Sequence, residues 1–201
     1  MILLKRYKLI TLTLALATSS TSCNDQLGND QQMSVDEKIT CLEEYIPRKE
    51  LSADDKQRLF ECFPSSPEEF QRIFDQEEER PHLAGDHVIV GNHLPKVKPV
   101  VGIERYAKKL ISVSAGLRGF ADSPNYLRAI FRSEFSGKDA IVFFKELDKL
   151  DKSRIAGFWN FYFRTWDGIQ LSPEVCKERK DSKACDVLTS MIEDQNQQAQ
   201  D

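Results

Sequence analysis

The sequence predicts an all-α domain, a compact bundle of roughly seven to eight short helices, with an α-solenoid as the alternative arrangement. Three observations predict it. Serines followed by acids recur as helix starts. Between them, apolar residues step along the chain at three- and four-residue intervals, the spacing of one helical face. Proline or glycine then closes most stretches, and the only short run that reads as extended is His87-Val88-Ile89-Val90.

Taken in order, Ser34-Val35-Asp36-Glu37 is a capping-box pattern with Val35, Ile39, Leu42 and Ile46 along one face, ended by Pro47. Ser52 with Asp55 opens a second helix bearing Leu59, Phe60 and Phe63, stopped by Pro64. Ser66-Pro67-Glu68-Glu69 opens a third, whose stripe is Phe70, Ile73 and Phe74 and which runs out in the acidic Glu77-Glu78-Glu79. Residues 80–99, punctuated by Pro81, Gly85, Gly91, Pro95 and Pro99, read as a loop with one short extended stretch. Helical spacing resumes with Ile103, Tyr106, Ala107, Leu110 and Ile111. Ser123-Pro124 starts the next helix, with Tyr126, Leu127, Ile130 and Phe131 inward. Gly137 separates it from one carrying Ile141, Phe144, Leu147 and Leu150. Then comes an aromatic helix, Ser153 through Trp166, ended by Gly168. Ile155, Phe158, Trp159, Tyr162 and Trp166 share a face, with Phe161 and Phe163 alongside, so it belongs at the centre of the bundle. Ser172-Pro173-Glu174 caps a helix containing Cys176, and a last helix holds Cys185, Leu188 and Ile192.

The ends read differently. Lys5-Arg6-Tyr7-Lys8 is a basic leader and Leu9–Ala17 a short apolar run, below the roughly 20 residues that span a bilayer. Ser20-Thr21-Ser22-Cys23 resembles a lipobox, which implies cleavage before a diacylglycerol-bearing Cys23; the usual leucine three residues earlier is replaced by Ser20. Ordinary cleavage after Ala15-Leu16-Ala17 is the rival. Residues 1–22 are thus expected to be a signal peptide, 23–33 a polar tether, 34–192 the helical domain and 193–201 a disordered glutamine-rich tail. Asn24 is not the aspartate that retains lipoproteins at the inner membrane of enteric bacteria, so the expected location is the outer membrane, facing the periplasm.

Five cysteines fit this scheme. If Cys23 is acylated, Cys41, Cys62, Cys176 and Cys185 remain, an even number for an oxidising compartment. Of the three pairings, the local one (Cys41 with Cys62, Cys176 with Cys185) is preferred, with free buried thiols as the alternative.

Charge narrows the partners. The whole chain carries −4; the leader holds Lys5, Arg6 and Lys8 and no acid, so the remainder carries −7. Such a domain is repelled by phosphate backbones, so nucleic acid is not expected and a basic protein is the better electrostatic match. Catalytic patterns are weak. His82, His87 and His93 share the irregular segment with Asp86, a donor set that zinc accepts, but their spacing matches no tight metal motif, and no metal or cofactor is expected. Ser114-Ala115-Gly116 lacks the strand-turn-helix setting of a nucleophile elbow. Carboxylates are plentiful, but their abundance locates no pair for glycoside hydrolysis.

Trp159–Gly168 with the upstream Ala121-Asp122-Ser123-Pro124-Asn125-Tyr126 resembles helical proteins of Gram-negative bacteria associated with interbacterial toxin–immunity loci. The resemblance covers the middle third of the chain and implies fold rather than activity. The expectation is therefore a non-enzymatic, lipid-anchored envelope protein that binds another protein, foremost an immunity protein against a periplasm-delivered toxin. The alternative is a structural or assembly lipoprotein; a hydrolase or metal-binding protein ranks below both. Expected contact residues are Glu77, Glu78, His82, Asp86, His87, His93, Arg164 and Trp166, because exposed acids, long loops and aromatic–arginine pairs are where partners usually meet a surface.

Overall fold

A computed structural model describes residues 33–74, 83, 85–118, 122–179 and 181–198, all within the second of two units, Met33–Asp201. The fold is all-α with one two-stranded hairpin. Among the described residues there are nine α-helices: α1 (Val35–Glu43), α2 (Ala53–Cys62), α3 (Pro67–Phe74), α4 (Lys98–Val101), α5 (Ile103–Ser114), α6 (Asp122–Phe135), α7 (Ala140–Asp148), α8 (Lys152–Tyr162) and α9 (Lys183–Gln198). The sum exceeds the expected seven to eight because α4, a single turn, has no stripe to announce it.

Local chemistry starts the first helices where the sequence places them. The Ser34 hydroxyl accepts from the Glu37 backbone N–H while the Glu37 carboxylate accepts from the Ser34 N–H at 2.7 Å, a full capping box. Ser52 and Asp55 repeat it for α2. Both bridges form locally: Cys41–Cys62 ties α1 to the end of α2, and Cys176–Cys185 ties a short 3₁₀ turn, Pro173–Cys176, to the start of α9.

One contiguous core unites the helices, and α5 meets α3, α4, α7 and α8. An element with four partners belongs to a bundle, not to a solenoid in which each unit touches only its neighbours. Ile155, Phe158 and Trp159 of α8 are fully buried, and the Trp159 indole N–H donates to the Ala184 carbonyl at 2.8 Å, joining α8 to α9. Ile141, read as inward, is instead 42% exposed, while Phe143 beside it is buried.

Four segments depart from expectation. Ser172-Pro173-Glu174 opens no α-helix around Cys176 but only the 3₁₀ turn Pro173–Cys176. Residues 87–93 form neither loop nor extended strand but a π-helix, His87–His93, in which Leu94 N–H donates to Ile89 C=O. Gly91 admits the Tyr126 ring of α6, whose nearest atom lies 3.3 Å from where a Cβ would stand. The aromatic helix stops at Tyr162, short of Trp166. Arg164–Thr165 (β1) and Gly168–Ile169 (β2) pair antiparallel, Arg164 opposite Ile169 and Thr165 opposite Gly168. Gly168, read as the end of the helix, has a positive φ of +122° and closes a Trp166-Asp167 turn instead. Finally, α9 continues through Glu193 to Gln198, where a disordered tail was expected.

Candidate functional site

The fold brings one basic, tryptophan-bearing corner together from α6 and the hairpin. α6 is built to present it: Leu127, Ile130 and Phe131 face the core, so Asn125 and Arg132 fall on the opposite side. Arg128 lies between these faces and is drawn inward, to 2% exposure. Its guanidinium sits 5.1 Å over the Phe161 ring and donates to the Asn125 side-chain oxygen at 2.6 Å and to the Phe161 carbonyl at 3.4 Å. The hairpin supplies Arg164, Thr165 and Trp166. With Asn125, Arg128 and Arg132 these line a notch of about 240 Å³.

The hairpin is short but braced on several sides. The Thr165 hydroxyl donates to the Gly168 carbonyl at 3.0 Å, and the Gln170 N–H to the Phe163 carbonyl at 3.3 Å. Gln195, on the stretch of α9 expected to be disordered, donates to the Ile169 carbonyl at 3.2 Å. At the root of the hairpin, Phe163 packs against Tyr162 and Trp159, which anchors the turn in the aromatic core. Trp166 itself is 81% exposed.

Electrostatics set the corner apart. Burial, then the nearby Arg132 and Arg164, pull the Arg128 guanidinium down to about 10, so it is cationic at neutral pH and its neighbours of the same sign disfavour that charge. Among the described residues, neither Arg128 nor Arg132 forms an ion pair with a carboxylate. A larger cleft of about 580 Å³ mixes acids and bases around Phe135, Phe144 and Tyr162, and shows no such bias of sign.

Of the residues singled out from the sequence, Arg164 and Trp166 are brought together here. Others are not. Cys23, Glu77, Glu78 and His82 lie outside the described residues. Asp86 accepts from the Ser123 hydroxyl at 2.5 Å and from the His87 N–H at 2.7 Å, so it pins the π-helix to the start of α6. His93 is buried and its Nε2–H donates to the Tyr45 carbonyl at 3.1 Å, whereas His87 is exposed. The two histidines therefore share no site. Among the described residues no cluster of three or more histidine, cysteine or acidic side chains is placed to hold a metal, and no helix is long and apolar enough to cross a membrane.

Sequence reading passed over Arg128 and Arg132. A signal was present: two like charges one helical turn apart are unfavourable in an isolated helix and call for an outside reason. No family model, curated protein or solved structure matches the chain.

Proposed function

We propose that the protein is a lipid-anchored envelope protein whose helical domain binds another protein through the α6–hairpin corner, and that it serves as an immunity protein against a toxin reaching the periplasm. The observation that carries the binding reading is Trp166, 81% exposed at the tip of a braced turn and flanked by arginines. Exposing a large indole is costly in water, whereas Trp and Arg are the residues that most often dominate protein interfaces. Because Gln195 and the aromatic base hold the turn, little ordering cost remains on association. Two disulfides accord with an oxidising compartment, and acylation at Cys23 would concentrate the domain at the membrane where such a toxin acts.

Capture of partners from the native envelope tests the binding reading. Wild-type protein should retain a partner that Trp166→Ala loses by about tenfold or more, the scale of a central interface aromatic. Equal retention by both would overturn the assignment of this corner. Cells lacking the gene should be killed by toxin-armed kin and survive once the neighbouring toxin gene is also removed. Survival of the single deletion beside those kin would exclude the immunity role and leave an assembly factor of the envelope.

A further inference from the structure

The chemistry of the corner specifies what it takes. Resting on the reading of this corner as a protein-binding surface, we propose that the notch is a carboxylate subsite, receiving an aspartate or glutamate side chain from an acidic segment of the partner. Three arginines line a space of about 240 Å³, room for one side chain or two. Arg128 forms the floor. It is 98% buried, held in place by Asn125 and the Phe161 carbonyl, and no carboxylate of the described residues neutralises it. A buried cation is normally paired, because leaving water uncompensated is costly. An incoming anion would supply that missing charge, and the planar fork of arginine matches a carboxylate with two parallel hydrogen bonds. Trp166 at the rim is 81% exposed, so most of its indole surface can meet the apolar neighbour of the entering acid.

Geometry and net charge favour a protein segment over a bilayer. A flat lipid surface cannot reach Arg128 at the bottom of a notch, whereas a protruding side chain can. The chain beyond its leader also carries −7, which repels anionic lipid as a whole while leaving this one basic spot attractive to a local acid. The expectation of a basic partner drawn from net charge is thereby refined: the surface at large steers toward bases, but the corner takes an acid.

The test uses the full chain with both disulfides formed and four probes: a blocked pentapeptide Gly-Phe-Glu-Asp-Gly, its amide twin Gly-Phe-Gln-Asn-Gly, inorganic phosphate, and vesicles containing phosphatidylglycerol. NMR resonances of the Trp166 indole N–H and the Arg128 guanidinium report occupancy, and the Trp159 indole N–H, bonded to Ala184, reports an intact fold. The acidic peptide should shift both corner resonances saturably, with the amide twin and phosphate each about tenfold weaker or worse. Arg132→Glu and Arg164→Glu should each abolish the shift; should the half-buried Arg164 variant disturb Trp159, the exposed Arg132 variant decides alone. Equal binding of the two peptides, no shift at all, phosphate binding as strong as the peptide, or vesicles binding where the peptide does not would each overturn the proposal. Failure here is separable from failure of the binding reading: if the captured envelope partner is lost by Trp166→Ala yet kept by Arg132→Glu, the corner stands and the carboxylate subsite falls.

Discussion

Single side chains in this protein are often placed at some cost, and Lys109 shows it most directly. From α5 its amine donates to the Phe60 and Glu61 carbonyls, closing the end of α2 where backbone acceptors lack helical partners, and it lies 4.8 Å from the Phe60 ring centre. Burial, reinforced by Lys38 and Arg105, pulls its pKa down to about 7 from the ordinary 10.5. The consequence for pH has a definite sign. Below about 7 both folded and unfolded chains hold the proton, and the penalty for the buried charge is felt in full. Between 7 and 10.5 the unfolded chain holds a proton that the folded chain has shed, so stability rises with pH. Urea unfolding midpoints of the wild type should climb from pH 7 toward pH 10, and those of Lys109→Met should stay level. Identical profiles would show that the amine is solvated in the folded state. The series stops short of pH 10, where Tyr106 and Tyr162, whose burial raises their pKa, begin to act in the opposite direction.

At the level of elements, what could be read beforehand depended on whether the deciding interaction was local. α1 and α2 begin where Ser34 and Ser52 announce them because a capping box is complete within four residues. The π-helix was not legible. Val88, Ile89 and Val90 favour extended backbone, and the contacts that override them come from afar: the Tyr126 ring over Gly91 and the Tyr45 carbonyl under His93. The hairpin was hidden for a related reason. Trp166 continues the helical spacing of α8, so its periodicity points inward while its side chain stands in water. Arg128 was missed because burial of a cation is decided by what α8 offers it, not by its neighbours in sequence. Gly157 carries a similar long-range constraint. A Cβ there would stand 3.2 Å from the Gly116 backbone nitrogen and 3.3 Å from its Cα, so α8 lies against the turn after α5 with no room between. Gly157→Ala should therefore destabilise by about 1–3 kcal/mol despite alanine's better helix propensity, as measured by chemical denaturation. A neutral or stabilising result would mean that the turn yields freely.

For the molecule as a whole, cross-links share the work of stability with the core. The pairing Cys41–Cys62 and Cys176–Cys185, preferred from proximity in sequence, is the one observed, with Cα–Cα separations of 6.2 and 5.7 Å that lie within the span of a disulfide. The first bridge closes the longer loop, with a sequence separation of 21 against 9, and so restricts the unfolded chain more. Replacing Cys41 and Cys62 with serine should cost about 3 kcal/mol, and replacing Cys176 and Cys185 somewhat less, in equilibrium unfolding under non-reducing conditions. The reverse order would show that strain or residual structure outweighs loop length. The full chain contains two tryptophans in opposite settings, Trp159 wholly enclosed and Trp166 81% exposed. Their fluorescence should separate by wavelength and by access to a collisional quencher, with iodide dimming the redder emitter and sparing the bluer one. Loosening of the hairpin and melting of the core can then be timed independently in one unlabelled sample.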